Sequence, residues 1–120
     1  METIETIARW HRETFPDTSL LKQLEKFQEE KKEWQKSQRI TNEGLIVGDI
    51  MELADMLIVA CGLARFDSVE AIFAFRRVAE ELEHSMYATI DLQRAVEEKM
   101  KLNRNRQWAN NNGLYRHKED

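Results

Sequence analysis

The stretch Asp49–Ala64, "DIMELADMLIVACGLA", decides how the chain folds. On a helix drawn through it, Ile50, Leu53 and Leu57 cover one side, continuing from Ile46, while Met56, Val59 and Leu63 cover much of the opposite side. A helix that is apolar all round belongs among other helices, not at a surface. Yet Asp49, Glu52 and Asp55 recur in it at successive i,i+3 steps, so their carboxylates share one side. Carboxylates taken out of water need compensation. These acids therefore require cations, either Arg and Lys side chains or a metal ion.

A second acidic stretch precedes it. "QEEKKEW", Gln28–Trp34, lies in an amphipathic pattern in which Leu20, Leu24, Phe27 and Trp34 fall on one stripe. Glu30 is three residues from Phe27 and four from Trp34, so it borders the stripe, and Glu33 follows one turn later. Glu29 is further round towards solvent. If the two helices pack antiparallel, Glu30 and Glu33 face Glu52 and Asp55. Four hard oxygen donors suit Mg²⁺, or Mn²⁺. The competing reading is a solvated charged face, which fits Glu29, Lys31 and Lys32 well.

The remaining chain reads as helical. It has 120 residues, four Gly, one Pro and 42% apolar residues, the make-up of a single domain, 1–120, with few breakers. A first helix is expected over about Thr3–Thr14, carrying Ile4, Ile7, Ala8 and Trp10. Pro16 stops it, and Asp17, Thr18 or Ser19 caps the next helix, Leu20–Ser37. "QRITNEGL" is a loop in which Thr41 or Asn42 caps a third helix over about Leu45–Arg65. Asp67 or Ser68, with Glu70 completing a capping box, opens a fourth that continues through Ile72, Phe75, Val78 and Leu82. The chain then either stays helical or breaks briefly near "HSMY" before a last helix over about Ile90–Trp108, and Gly113 is a stop or turn signal. Short connections favour antiparallel neighbours. The expected class is all-α, an antiparallel four- to five-helix bundle.

The formal charge is −4 and basic residues gather only locally, between Lys99 and Arg106. A nucleic acid polymer is therefore not the expected partner. The longest apolar run, Met56–Ala64, is too short to cross a bilayer, and no basic-then-apolar leader opens the chain, so a cytoplasmic protein is expected. The single Cys61 reads as a small core residue. A domain this small gains from self-association, so a homodimer or homotetramer is expected. Lys99, Asn103 and Arg106 share one face of the last helix and suit phosphate or sugar contacts, although a basic helix end also complements the helix dipole. Trp10 is a candidate base-stacking ring. Phe27 and Trp34 fit core packing better, and Trp108 reads as an anchor. His11 reads as lying in a polar setting and His117 in the tail.

"EEKKE", Glu29–Glu33, followed by "ELAD", Glu52–Asp55, resembles the EExxE…ExxD signature of the MazG-like all-α nucleoside triphosphate pyrophosphohydrolases. "EEKMKLNRNRQW", Glu97–Trp108, is similar to the last helix of some phage and bacterial members, where a K-x-x-x-N-x-x-R-x-W pattern is followed by a glycine and a histidine. Here these are Lys99, Asn103, Arg106 and Trp108, with Gly113 and His117 beyond. The segment from Asp67 to Asp91 matches less clearly. The resemblance implies hydrolysis of a (deoxy)nucleoside triphosphate to the monophosphate and pyrophosphate, a role in nucleotide-pool clean-up or nucleotide metabolism, and an oligomer. It implies Glu30, Glu33, Glu52 and Asp55 as Mg²⁺ ligands and a looser role for Glu29 in the outer shell or in orienting water.

Two other classes compete. A non-catalytic helical interaction module would pair Glu52 and Asp55 with Arg or Lys from another helix or subunit. A carboxylate-bridged di-iron bundle needs two Glu-x-x-His pairs, and "ELEH" supplies only Glu81 with His84.

Overall fold

Thr3 opens the first helix, α1 (Ile4–Thr14): its hydroxyl accepts from the Thr6 amide while the Thr6 hydroxyl accepts from the Thr3 amide. In this computed structural model, which describes residues 1–111 and 114–118, α2 (Leu20–Ser37) is capped by Ser19, whose Oγ accepts from the Lys22 amide. There follow a two-residue antiparallel hairpin, β1 (Arg39–Ile40) and β2 (Ile46–Val47), and then α3 (Ile50–Ala64), α4 (Val69–Glu83) and α5 (Thr89–Asn105). A second hairpin, β3 (Trp108–Asn111) with β4 (Leu114–His117), is paired in the register Trp108↔His117. The chain is mostly helical with little strand, as expected of an all-α class. No helix among the described residues is long and apolar enough to cross a membrane.

Several boundaries differ from expectation. The third helix starts at Ile50 rather than Leu45, and its cap is Asp49, not Thr41 or Asn42. Asp49 Oδ1 accepts from the Met51 amide at 3.0 Å, so Asp49 is a capping acid at the helix mouth and not a member of a buried acidic row. Thr41 serves the first hairpin instead. Its hydroxyl accepts from the Leu45 amide, its carbonyl from Gly44, and Gly44 takes the left-handed φ of 81° that this turn demands. Gly48 lies flat against the Trp34 indole, where a Cβ would collide. At α4, Ser68 holds the cap position without a side-chain cap bond and Asp67 is left-handed at φ 52°, so the expected capping box does not form. Of the apolar positions Ile72, Phe75, Val78 and Leu82, the last three pack on the core. α4 buries the small Ala71 and Ala74 with Val78, and Ile72 is exposed. The last helix begins at Thr89 and ends at Asn105. Trp108 belongs to β3, which with its partner strand was not foreseen, and Gly113 lies outside the described residues.

α3 is the hub, contacted by α1, α2, α4 and α5. Leu53, Ala54, Met56, Ala60 and Leu63 are fully buried, and Cys61 is 1% exposed, with its thiol pushed up to about 12 by burial. That enclosure is what an all-round apolar helix dictates. Gln23 Nε2 donates to the Val59 carbonyl while Trp34 abuts Gly48, so α2 runs antiparallel to α3. Tyr87 donates to the Gly48 carbonyl and Lys99 reaches Asp55, so α5 runs parallel to α3, with α4 making the return between them. These two directions bring the acids of α2 and the cations of α5 to the same stretch of α3.

Candidate functional site

Glu30 from α2 and Glu52 and Asp55 from α3 converge. One carboxylate oxygen from each lies within 4.8 Å of the other two. Glu30 borders the Phe27–Trp34 stripe and so cannot turn to solvent, while Glu52 and Asp55 are one turn apart on the buried hub. Confinement raises all three. Glu30 is pushed up to about 7, first by burial and then by Asp55, with Lys26 opposing. Burial, then Asp55, also raises Glu52, and burial raises Asp55 against the pull of Lys99, Arg106 and Lys26. Lys99 Nζ lies 3.2 Å from Asp55 Oδ2 and Lys26 Nζ 3.7 Å from Glu30 Oε1. A set of three partly desolvated carboxylates, each disfavoured as an anion, fits a hard divalent cation such as Mg²⁺ or Mn²⁺.

Glu30 and Asp55 of this group line a cleft of about 220 Å³. Lys26, Lys99, Asn103 and Arg106 line it too, as do Trp10, Phe15, Trp108 and His117. Asn103 is buried at 6% exposure, and its Oδ1 accepts from Arg106 Nη1 at 3.2 Å, holding the guanidinium beside the cleft. The rings meet edge to face: Trp10 with Phe15 at 5.3 Å between centroids, Trp10 with Trp108 at 6.2 Å, and Trp108 with His117 at 5.8 Å. Such a lining offers an apolar edge to a flat ring.

His11 closes the floor. It was expected in a polar setting but is buried at 5% exposure. Arg65 is always a donor, so His11 Nδ1 accepts from it at 3.1 Å, and Nε2 carries the proton that it gives to Gln23 Oε1 at 2.9 Å. Burial, then the charge of Arg65, lowers His11 to about 4 and keeps it neutral. Gly62 permits this packing, since a Cβ there would meet Gln23 Nε2 and the His11 ring.

Of the residues singled out from sequence, Glu30, Glu52, Asp55, Lys99, Asn103, Arg106 and Trp10 come together here. Glu33 is exposed and 3.7 Å from Lys36, and its carboxylate lies outside the group of three, though near enough to raise Glu52. Glu29 lies 3.7 Å from Lys26. Phe27 and Trp34 are core, and Trp34 donates to Glu81. His84 donates to the Glu80 carbonyl and is not part of the acid group. Sequence reading missed Lys26, Gln23 and Phe15. Lys26 carried a signal, four residues before Glu30 on the same face, and His11 follows Ile7 by the same spacing. Comparison with protein-family models, curated proteins and solved structures finds no match.

Proposed function

We propose that the protein is a nucleoside triphosphate pyrophosphohydrolase of the MazG-like kind, using Mg²⁺ or Mn²⁺ to release pyrophosphate from a (deoxy)nucleotide. The observation that carries this reading is one cleft lined by two members of the acid group, Glu30 and Asp55, by the cations Lys26, Lys99 and Arg106, and by aromatic rings. Those three chemistries match a metal, phosphates and a base. Glu30, Glu52 and Asp55 would hold the ion, and Glu33 is one turn away, within reach after a change of rotamer. When bound, the ion supplies charge neutralisation of the phosphates and a water of lowered pKa. Lys99 and Arg106 face the phosphate chain, and Asn103 fixes the fork of Arg106 for a two-pronged grip. Trp10 and Trp108 flank the base and exclude water. Glu29, beside Lys26, would orient an attacking water.

Pyrophosphate release measured across a panel of canonical and modified (d)NTPs with Mg²⁺ tests the reading. Turnover of at least one of them is expected, and no turnover of any, with Mg²⁺ or Mn²⁺, sinks it. The ion pairs Lys99–Asp55 and Lys26–Glu30 favour a second reading, a non-catalytic interaction module whose acids are satisfied internally. Calorimetric titration with Mn²⁺ separates the two, because the module takes up no ion.

The reading extends to a homo-oligomer. Val69, Ile72 and Phe73 are 61%, 65% and 63% exposed on one face of α4, followed on the same face by the Arg76–Glu80 pair at 3.6 Å. An exposed apolar stripe of this kind can be covered by the same stripe of a second copy about a two-fold axis. Light scattering during size-exclusion should give a multiple of the chain mass for the wild type and the single-chain mass for Phe73→Glu. A wild type of single-chain mass at high micromolar concentration removes this part of the reading.

A further inference from the structure

We propose that Lys99, assisted by Lys26, is a stand-in counter-ion for the acid group, so that a divalent ion and a polyphosphate load the cleft together rather than singly. The inference rests on the pyrophosphohydrolase reading and adds a rule about the order in which that site fills.

The two lysines reach the acids from different helices, Lys26 from α2 and Lys99 from α5. Both are mostly shielded, with side chains 24% and 18% exposed. Lys26 already stands against Glu30 and Lys99 against Asp55, so two of the acids have cationic partners before any ion arrives. An ion entering alone must push Lys99 from Asp55 and then bear its repulsion at close range. Among the described residues, Asp55 is the carboxylate with which Lys99 pairs. Lys26 differs, since it also lies 3.7 Å from Glu29 and keeps that partner when Glu30 is taken. A polyphosphate supplies the anion to which Lys99 can turn, and a flexible ammonium stem suits such a swing. Ion and polyphosphate then favour each other's binding through one shared lysine, which is a coupling free energy between two ligands.

The test measures binding, without turnover, by calorimetric titration of Mn²⁺ alone and of preformed Mn²⁺–imidotriphosphate. Lys99→Met should tighten Mn²⁺ alone by about tenfold and loosen the Mn²⁺–imidotriphosphate complex by about tenfold, a size typical of coupled sites. Lys26→Met should move both in the same directions by less. Lys22→Met removes an equal charge from a half-exposed position on α2, 3.7 Å from Glu25 and not part of the cleft's lining among the described residues, and should move neither. Lys99→Gln, which keeps length and polarity, guards against misfolding and should follow Lys99→Met. A merely structural lysine gives the opposite sign for Mn²⁺ alone. If Lys99→Met and Lys99→Gln leave that affinity unchanged or weaker while the wild type binds Mn²⁺ and releases pyrophosphate, the stand-in role is wrong and the function stands. If the wild type binds Mn²⁺ in neither form and turns over no nucleotide, both are wrong.

Discussion

Asp55→Asn and Glu52→Gln are each expected to cut magnesium-dependent pyrophosphate release by at least about 100-fold, since losing even an outer-sphere partner of a metal site costs 10–100-fold. Both changes preserve volume and remove only the anion. Asp55 also anchors Lys99 at 3.2 Å, so Asp55→Asn takes away a ligand and a counter-ion at once. Its effect on folding should be small by comparison. Burial raises the Asp55 carboxyl despite the pull of Lys99, so the fold does not favour its anion over a neutral side chain. Near-wild-type circular dichroism and melting, together with the collapse of activity and of Mn²⁺ binding, would be the signature of a ligand. A rate within tenfold of wild type for both variants would place the chemistry elsewhere.

Glu30→Gln should make the metal-free protein more stable at pH 8, by about 2 kcal/mol. The sign follows from the direction of the shift. Glu30 is raised from 4.5 to about 7 in the fold, so the fold prefers its protonated form. That preference stabilises fully below pH 4.5 and is lost as pH rises through 7. The neutral amide never meets the loss. The two proteins should therefore be equally stable near pH 4 and diverge towards pH 8 in denaturation with a chelator. The wild-type profile alone would mislead. His11, lowered from 6.5 to about 4, contributes stability that is full above pH 6.5 and lost as pH falls towards 4, the opposite slope over much of the same window. Subtracting the wild type from the variant cancels it. Saturating Mg²⁺ at pH 8 should reverse the order, since only the wild type keeps all three ligands. A variant less stable than wild type at pH 8 in chelator would show that the group is not strained as an anion.

The helices were legible where local chemistry decides them. α2 was readable to the residue because Ser19 caps it, Pro16 precludes an earlier start and the apolar stripe is unbroken. The hub character of α3 followed from its lack of a polar face. Its first turn did not, because Ile46 and Val47 fit the helical apolar pattern as well as they fit a strand. What makes them a strand is pairing: with β1 in the hairpin, and across the chain, where the Ile46 amide donates to His84 and its carbonyl accepts from Met86. In α4 the pattern through Phe75, Val78 and Leu82 packs on the core, while Ile72 lies outside it and Ala71 and Ala74 are buried instead. Within the site, the acids of α2 and α3 could be brought together from spacing alone, since one turn of chain joins two antiparallel helices. The facing of Lys99, Asn103 and Arg106 towards them rests on the direction of α5, which no local signal encodes. His11 was misjudged because its neighbours in sequence, Trp10 and Arg12, do not reveal the guanidinium of Arg65, 54 residues away, that turns it inward.

The enclosure of α3 by four other helices also determines where the bound ion would be felt. Backbone amides on a surface loop exchange with deuterium through small local openings, but those in the middle of α3 lose protection only when the surrounding helices come apart. Two of the three acids sit on that helix, so an ion they hold is tied to the slowest-exchanging part of the protein. Its binding energy therefore passes into the global unfolding step, and the amides around Leu53–Val59 would record it in full while those of the first hairpin would not.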